Sequence, residues 1–349
     1  MRLSYSRTIL AALALCCLPL LAAQTPPAYP SNPKFIAAIA QAKKMTHDRQ
    51  YPDAIDAYKK ANKIAAGQDA DCLKQLFALQ MKTGSFKDAA ATSAALEAIA
   101  ASPAEKSYAE SSRGHALYYQ AGDKNKTDIL NAADAAFKAA IANYPKNAAA
   151  LYLDGLVLAR LGQIDAARTQ FKACLSCTSP QDPSYVRAQH FAENPALSLE
   201  KMAPAFTVTA LDGTRFNLDE MNGRVVLIDF WATWCGPCNE ELPHMKKIAK
   251  EFANEPLVII SVSWDDDEAK WKAFINKNEM TWVQYRDADH RLSNTFGVQA
   301  IPHYFTIDSD GVLTSEMMGS GSDVEGKLKK LIARAKAAHP IPAGTVASN

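Results

Sequence analysis

The segment Trp234-Cys235-Gly236-Pro237-Cys238 limits what this chain can fold into more than any other stretch of its 349 residues. It closes an apolar run, Val225-Val226-Leu227-Ile228-Asp229-Phe230-Trp231, and opens a stretch with helical spacing from Asn239 to Phe252. A short continuous apolar run bounded by turn chemistry reads as a fully buried strand, so the two cysteines stand at a strand-to-helix junction. There the first sulfur meets free backbone N–H groups and the positive end of the helix dipole, both of which favour a thiolate. Two thiols held this way can open and close a disulfide reversibly. A zinc site would need two more ligands at close spacing, yet no cysteine follows Cys238, and His244, His290 and His303 lack finger or ribbon spacing. A purely structural bridge would close so short a loop that it constrains the unfolded chain little. Cys235 and Cys238 are therefore read as a redox pair that requires no metal and no cofactor.

Residues 1–23 read as a secretory leader, with basic Arg2 and Arg7, an apolar stretch from about Thr8 to Leu21, and Ala22-Ala23 ahead of Gln24 and a Pro-rich segment. The apolar stretch is shorter than the roughly 20 residues of a spanning helix, so membrane association would come only through an uncleaved leader. Export permits stable disulfides. Beyond the leader and outside the redox pair lie Cys72, Cys174 and Cys177; Cys174-Leu175-Ser176-Cys177 lacks a preceding apolar strand and is read as structural or incidental. With 38 basic and 37 acidic residues, the chain gives no sign of a nucleic-acid partner.

From about Phe35 to Cys177 the sequence is Ala-rich and carries apolar residues at three- and four-residue spacing, which is helix throughout. Small residues at Ala54, Ala89, Ala133 and Ala167 are each followed four positions later by Tyr58, Ser93, Phe137 and Phe171, at intervals of 35, 44 and 34 residues. These are helix-hairpin intervals. An insertion around Asp123 to Asp128 accounts for the long one, and Ser93 departs from the aromatic pattern. With Gly114 and Gly155 on the preceding helices, residues 34–178 resemble four degenerate tetratricopeptide repeats, in which a small residue lets two helices cross closely and an aromatic fills the adjoining gap. Stacked helix pairs offer a concave face for an extended peptide or a partner helix. Residues 179–202, with Pro180, Pro183 and Pro195, read as a linker holding one short helix near Tyr185 to Ala192.

Residues 203–338 read as a second domain and 339–349 as a flexible tail. A hairpin is expected from Ala205 to Leu218 around Asp212-Gly213, then strands Val225 to Trp231 and Leu257 to Ser263, a helix near Glu268 to Asn278, strands Tyr304 to Ile307 and Leu313 to Met317, and a helix Val324 to Lys336. Alternating β and α elements that end in a hairpin fit a thioredoxin fold. The predicted fold class is thus an all-α helical-repeat domain followed by an α/β thioredoxin-fold domain. Asp265-Asp266-Asp267-Glu268 is read as a helix cap and Asp308-Ser309-Asp310-Gly311 as a hairpin turn rather than a calcium loop.

Several separated motifs carry a family resemblance: Ala203-Pro204-Ala205-Phe206, the Asp-Gly hairpin, the run from Asp229 to Cys238, Glu241-Leu242-Pro243, and Gly297-Val298-Gln299-Ala300-Ile301-Pro302. In this order they resemble exported thioredoxin-like proteins of the TlpA/ResA type. The resemblance implies a thiol:disulfide oxidoreductase, exported to a compartment such as the bacterial periplasm, that reduces disulfides in other exported proteins and is recharged by a membrane or periplasmic thiol donor. Cys235 would be the exposed nucleophile and Cys238, more buried, the resolving thiol. A buried Asp229 should have a raised pKa, and its place six residues before Cys235 matches the proton-handling acid of thioredoxins. Glu241, one turn beyond Cys238, resembles the family's active-site glutamate. Trp234, Gly236 and Pro237 would border the bound substrate, and Ile301-Pro302 resembles the loop whose cis-proline faces the redox pair. His303, where relatives often have threonine, would alter substrate choice or titrate near the sulfurs. A thiol peroxidase is disfavoured because Ala232 and Ile228 occupy the positions where its pattern has threonine and proline; a binding scaffold with an idle redox fold would not need both cysteines.

Overall fold

The computed structural model describes residues 29–338 apart from Asp123, Asn125, Pro183 and Asn222. The expected leader at 1–23, the tail at 339–349 and part of the insertion at 123–128 lie outside these residues. Backbone contacts divide the chain into two units, one up to Leu79 and one from Gln80 onward. The first holds α1 (Pro33–His47), α2 (Tyr51–Ile64) and most of α3 (Ala70–Lys82). Asn32 caps α1 by accepting the Lys34 N–H at 2.9 Å, and Pro33 occupies the first turn, where a missing N–H costs nothing. Phe35, Ala38 and Ala42 of α1 pack on Ala54, Ala57, Tyr58 and Ala61 of α2, with Cys72 and Leu76 of α3 completing this core.

The second unit begins with α4 (Phe86–Ala98), α5 (Pro103–Ala121), α6 (Thr127–Asn143), α7 (Ala148–Arg160), α8 (Ile164–Cys177) and α9 (Tyr185–Glu193). Each packs against its successor. The start of α5 is fixed by a capping box in which the Ser102 hydroxyl accepts the Glu105 N–H while the Glu105 carboxylate accepts the Ser102 N–H. Ala89, Ala133 and Ala167, the repeat markers of this unit, are fully buried. The reason for their glycine partners is steric. A Cβ on Gly114 would stand 2.7 Å from the Phe137 ring, and one on Gly155 only 2.5 Å from that of Phe171. The periodicity thus records helix crossings too close for a side chain. Ser93, at the aromatic position of α4, is buried and donates its hydroxyl to the Ala89 carbonyl.

The segment read as a linker is built into the same packing. Ala188, Phe191 and Ala192 form an apolar stripe on α9, and Phe191 meets Phe171 and Tyr152 at ring distances of 5.4 and 6.1 Å. A 3-10 turn follows over Pro195–Leu199. Arg187 of α9 donates at 2.9 and 2.6 Å to Asp219, which lies just after the hairpin of the next domain. Both partners of this ion pair are largely out of water.

That domain comprises a hairpin, β1 (Thr207–Thr209) and β2 (Arg215–Asn217), then β3 (Val225–Trp231), α10 (Gly236–Glu251), β4 (Leu257–Ser263), α11 (Glu268–Lys277), β5 (Val283–Arg286), α12 (Arg291–Phe296), β6 (His303–Ile307), β7 (Leu313–Met318) and α13 (Val324–Ala338). The main sheet has the order β5-β4-β3-β6-β7, with β3 parallel to β4 and antiparallel to β6. All seven residues of the central strand β3 are buried because both faces are covered. Val226, Ile228 and Phe230 pack on one side with Phe296 and Phe305; Val225 and Leu227 pack on the other with Met245 and Ile248 of α10 and Leu328 of α13. The expected strands and helices are present within a few residues. Strand β5 and helix α12 were not anticipated, being four and six residues long, too short for a periodic signal. Asp267 caps α11, accepting the N–H groups of Ala269 and Lys270, and Asp308 accepts those of Asp310 and Val312 in the β6–β7 turn.

Candidate functional site

The site forms where β3 ends. Its register with β4 runs from Val225 opposite Leu257 to Trp231 opposite Ser263, so the loop after β3 lies beside the loop after β4. Cys235 is the N-cap residue of α10, its sulfur accepting the Cys238 N–H at 3.2 Å, and Gly236 and Pro237 form the exposed first turn. Cys235 and Cys238 are joined as a disulfide. They pack among Trp231, Ala232, Trp271, Ile275 and Met280, with Ile301 and Leu242 at the edge. The Ile301–Pro302 peptide bond is cis, as the resemblance implied, and the Ile301 carbonyl oxygen lies 3.9 Å from the Cys235 sulfur. Trp234 stands 64 % exposed beside this loop.

One expectation needs correction. Cys235 is not the more exposed sulfur-bearing residue: in the disulfide form it is 5 % exposed and Cys238 is 7 %. The Ile301–Pro302 loop covers Cys235 from one side while Trp231 and Ala232 close in beneath, so what distinguishes Cys235 is its place at the helix cap rather than open access.

Asp229 is buried on β3, where the Ser261 hydroxyl donates to it at 2.9 Å and Trp282 in turn donates to that hydroxyl at 2.7 Å. Burial pushes the Asp229 carboxyl up to about 7; the Ser261 hydrogen bond opposes this and the charge of Glu241 adds to it. Asp229, Cys238 and Glu241 line one small cavity together with Trp282 and Tyr304. Its volume of about 10 Å³ is close to that of a single water probe. The structure therefore brings both expected acids to the space behind the resolving sulfur. Glu241 is held in place, its Oε1 accepting the Gly321 N–H at 2.6 Å and its Oε2 lying 3.2 Å from His244 Nδ1.

His303 is not brought to the sulfurs. Its strand neighbour Tyr304 pairs with Asp229 on the cavity side of the sheet, and alternation sends His303 to the opposite face. There its ring stacks on Phe305 at 4.8 Å and its Nε2 meets Glu316 Oε1 at 3.0 Å. Conversely, Asp265 was read only as part of a cap. Its buried carboxylate accepts the N–H and hydroxyl of Thr233 and the hydroxyl of Ser263, while the Asn239 side chain donates to the Thr233 carbonyl. Thr233 lies two residues before Cys235, so Asp265 fixes the redox turn. The signal was available in the register: the 32-residue offset between β3 and β4 sets residue 265 against residue 233.

A family model described as Redoxin matches residues 199–331. The chain is 32 % identical over 143 residues to the thiol-disulfide oxidoreductase ResA of Bacillus thuringiensis strain Al Hakam, spanning 40 % of this chain and 83 % of that one. It is 30 % identical over 132 residues to the thioredoxin-like protein YneN of Bacillus subtilis strain 168, spanning 37 % and 76 %. Among solved structures, the thioredoxin domain of the thiol-disulfide oxidoreductase BVU-2223 of Bacteroides vulgatus is similar at 28 % identity and a TM-score of 0.35, covering 38 % of this chain and 95 % of that one. A bonded Cys-Gly-Pro-Cys pair capping a helix, a facing Ile301–Pro302 loop and a buried acid behind Cys238 all stand within residues 199–331, the span of the Redoxin match: the chain belongs to the ResA-type thiol-disulfide oxidoreductases and is an enzyme of the thioredoxin fold.

Proposed function

We propose that this enzyme is exported and works as a disulfide reductase on other exported proteins, with the helical repeats recruiting the substrate or the redox partner. The observation that carries the chemistry is the placement of Asp229 and Glu241 on the cavity behind Cys238. In the reduced enzyme, the Cys235 thiolate attacks one sulfur of a substrate disulfide, forming a mixed disulfide and releasing the other substrate thiolate. Cys238 then gives its proton to the carboxylate behind it and attacks the Cys235 sulfur, so that the Cys235–substrate bond breaks as the Cys235–Cys238 bond forms. Two electrons pass from the enzyme to the substrate. A thiol donor at the membrane or in the periplasm recharges the pair by the reverse sequence.

The Ile301 carbonyl faces the Cys235 sulfur and Gly236 and Pro237 follow it in the chain; with Trp234 and Pro302 these residues would receive the substrate chain. The Gly236-Pro237 pair, shared with thioredoxin, favours the reducing direction. Export is supported by the leader-like residues 1–23. Among the described residues, no helix is long and apolar enough to cross a membrane. Recruitment by the repeats rests on their stacked helix pairs, which offer the kind of extended surface such arrays use for partners.

The test is a trapping experiment with the full chain. A Cys238→Ser variant produced in the exporting cell should accumulate mixed disulfides on Cys235 with other exported proteins. Deleting the repeats should reduce their variety or yield. Absence of any trapped species from cells whose wild-type enzyme cycles between oxidised and reduced forms would overturn the substrate assignment.

A further inference from the structure

Each turnover brings a proton into the cavity behind Cys238, which is lined in part by Glu241, a side chain 15 % exposed. Beside that carboxylate lies a second titratable side chain, more exposed to solvent than Glu241 is. His244, on α10, places Nδ1 3.2 Å from Glu241 Oε2, and its side chain is 32 % exposed. Glu241 presents this oxygen to it because the other oxygen is bound to the Gly321 N–H. We propose that His244 is the proton exit of the redox site, carrying the proton released by Cys238 from Glu241 to bulk water. This rests on the thiol-disulfide chemistry above and adds the route by which its proton leaves.

The steps balance. Cys238–SH loses its proton to Asp229; the thiolate attacks Cys235 and displaces the substrate thiolate, which takes a proton from solvent. The proton on Asp229 crosses the cavity to Glu241, moves from Glu241 Oε2 to His244 Nδ1, and a proton departs from Nε2. When the pair is reduced again the same path runs inward. An imidazole suits this role because its two nitrogens can take a proton on one side and give one up on the other near neutral pH.

The groups around His244 come from four elements. On α10 they are Glu241 and Lys247; on α13 they are Glu325, whose Oε2 lies 3.6 Å from His244 Nε2, and Lys329; across the cavity they are Asp229 of β3 and Tyr304 of β6. Lys247 and Lys329 both bind Glu325, and their hydrogen bonds lower its carboxyl to about 2. Glu325 therefore stays ionised and does not compete for the proton. Glu241, by contrast, is the carboxylate that both lines the cavity and touches His244 Nδ1.

The reaction of the fully reduced enzyme with dithiobis-nitrobenzoate separates the steps. Attack by Cys235 releases the first coloured thiolate, and resolution by Cys238 releases the second. In weakly buffered solution, His244→Gln should leave the first phase unchanged and slow the second about tenfold, less than the roughly hundredfold or more expected when the group that takes the proton from the reacting atom is itself lost. Added imidazole should restore the rate, and the low-pH limb of the second phase should move. Glu325→Gln should leave the second phase close to wild type. Equal second-phase rates in wild type and His244→Gln would overturn the relay. So would slowing that imidazole does not relieve, or that Glu325→Gln reproduces, because His244 would then act through its ion pair. If the wild-type enzyme showed neither phase, the thiol-disulfide reading itself would fail, an outcome distinct from these.

Discussion

Asp229 makes the stability of the redox domain depend on pH in a direction opposite to that of an ordinary ion-paired carboxylate. Its carboxyl is raised from 3.8 to about 7 by burial, so folding favours the protonated acid. Stability is then highest below the unfolded pKa, falls as pH rises between about 4 and 7, and is flat above. Raising the carboxyl from 3.8 to about 7 corresponds to a loss of about 4 kcal/mol across that window. Asp154, buried on α7 and likewise pushed up to about 7, adds a similar slope in the repeats. The two can be separated optically, because all five tryptophans, Trp231, Trp234, Trp264, Trp271 and Trp282, belong to the redox domain. Urea unfolding of the oxidised enzyme followed by tryptophan fluorescence, from about pH 4 to pH 8, should show wild type losing stability as pH rises. Asp229→Asn keeps the acceptor for the Ser261 hydroxyl and removes the titration. It should be close to wild type at the acid end and more stable by up to about 4 kcal/mol at the alkaline end. Parallel curves for the two proteins would refute the argument, since Asp229 would then titrate alike in the folded and unfolded chain.

In the repeats, Gly155→Ala should destabilise despite the roughly 1 kcal/mol that alanine gains over glycine in a helix. A Cβ 2.5 Å from the fully buried Phe171 ring overpacks the crossing at a cost of about 1–3 kcal/mol, so the net effect, read by helical circular dichroism on heating, is a lower midpoint; a higher one would show that the ring moves freely. Among the cysteines outside the redox pair, Cys177, half-buried, should be alkylated in the native enzyme, whereas Cys72, buried with its thiol pushed up to about 12, should resist until unfolding. Asp265→Ala should slow the attack by Cys235 and lower stability by about 1–3 kcal/mol by leaving the Thr233 N–H without its acceptor. Unchanged initial attack with dithiobis-nitrobenzoate would show that the redox turn holds itself.

The parts of the molecule that could be read from the sequence are those governed by local rules. An apolar run interrupted only by Asp229 specified β3, a proline and two cysteines specified the start of α10, and the spacing of alanine, glycine and phenylalanine specified the helix crossings. The resemblance added the cis peptide before Pro302, which no spacing could give. What escaped depends on pairing between distant strands. Strand β5 is defined by its bonding to β4 more than by its own four residues. Asp265 acquires its role only when β3 and β4 are in register, and His303 loses its expected role because strand alternation turns it away from Asp229. His244 entered the sequence analysis only as a histidine without zinc spacing, and its approach to Glu325 of α13 exists only in the fold.

The packed segment between repeats and redox domain carries a consequence for selectivity. Phe191 is wedged among the rings of Tyr152 and Phe171, and Arg187 is anchored on Asp219, so the helices from α7 to α9 cannot swing freely about the sulfurs. A chain gripped on those helices would be offered to Cys235 along a fixed span and from one bearing. Choice among clients would then follow length as well as composition, favouring those whose gripped element and cystine are separated by a matching reach.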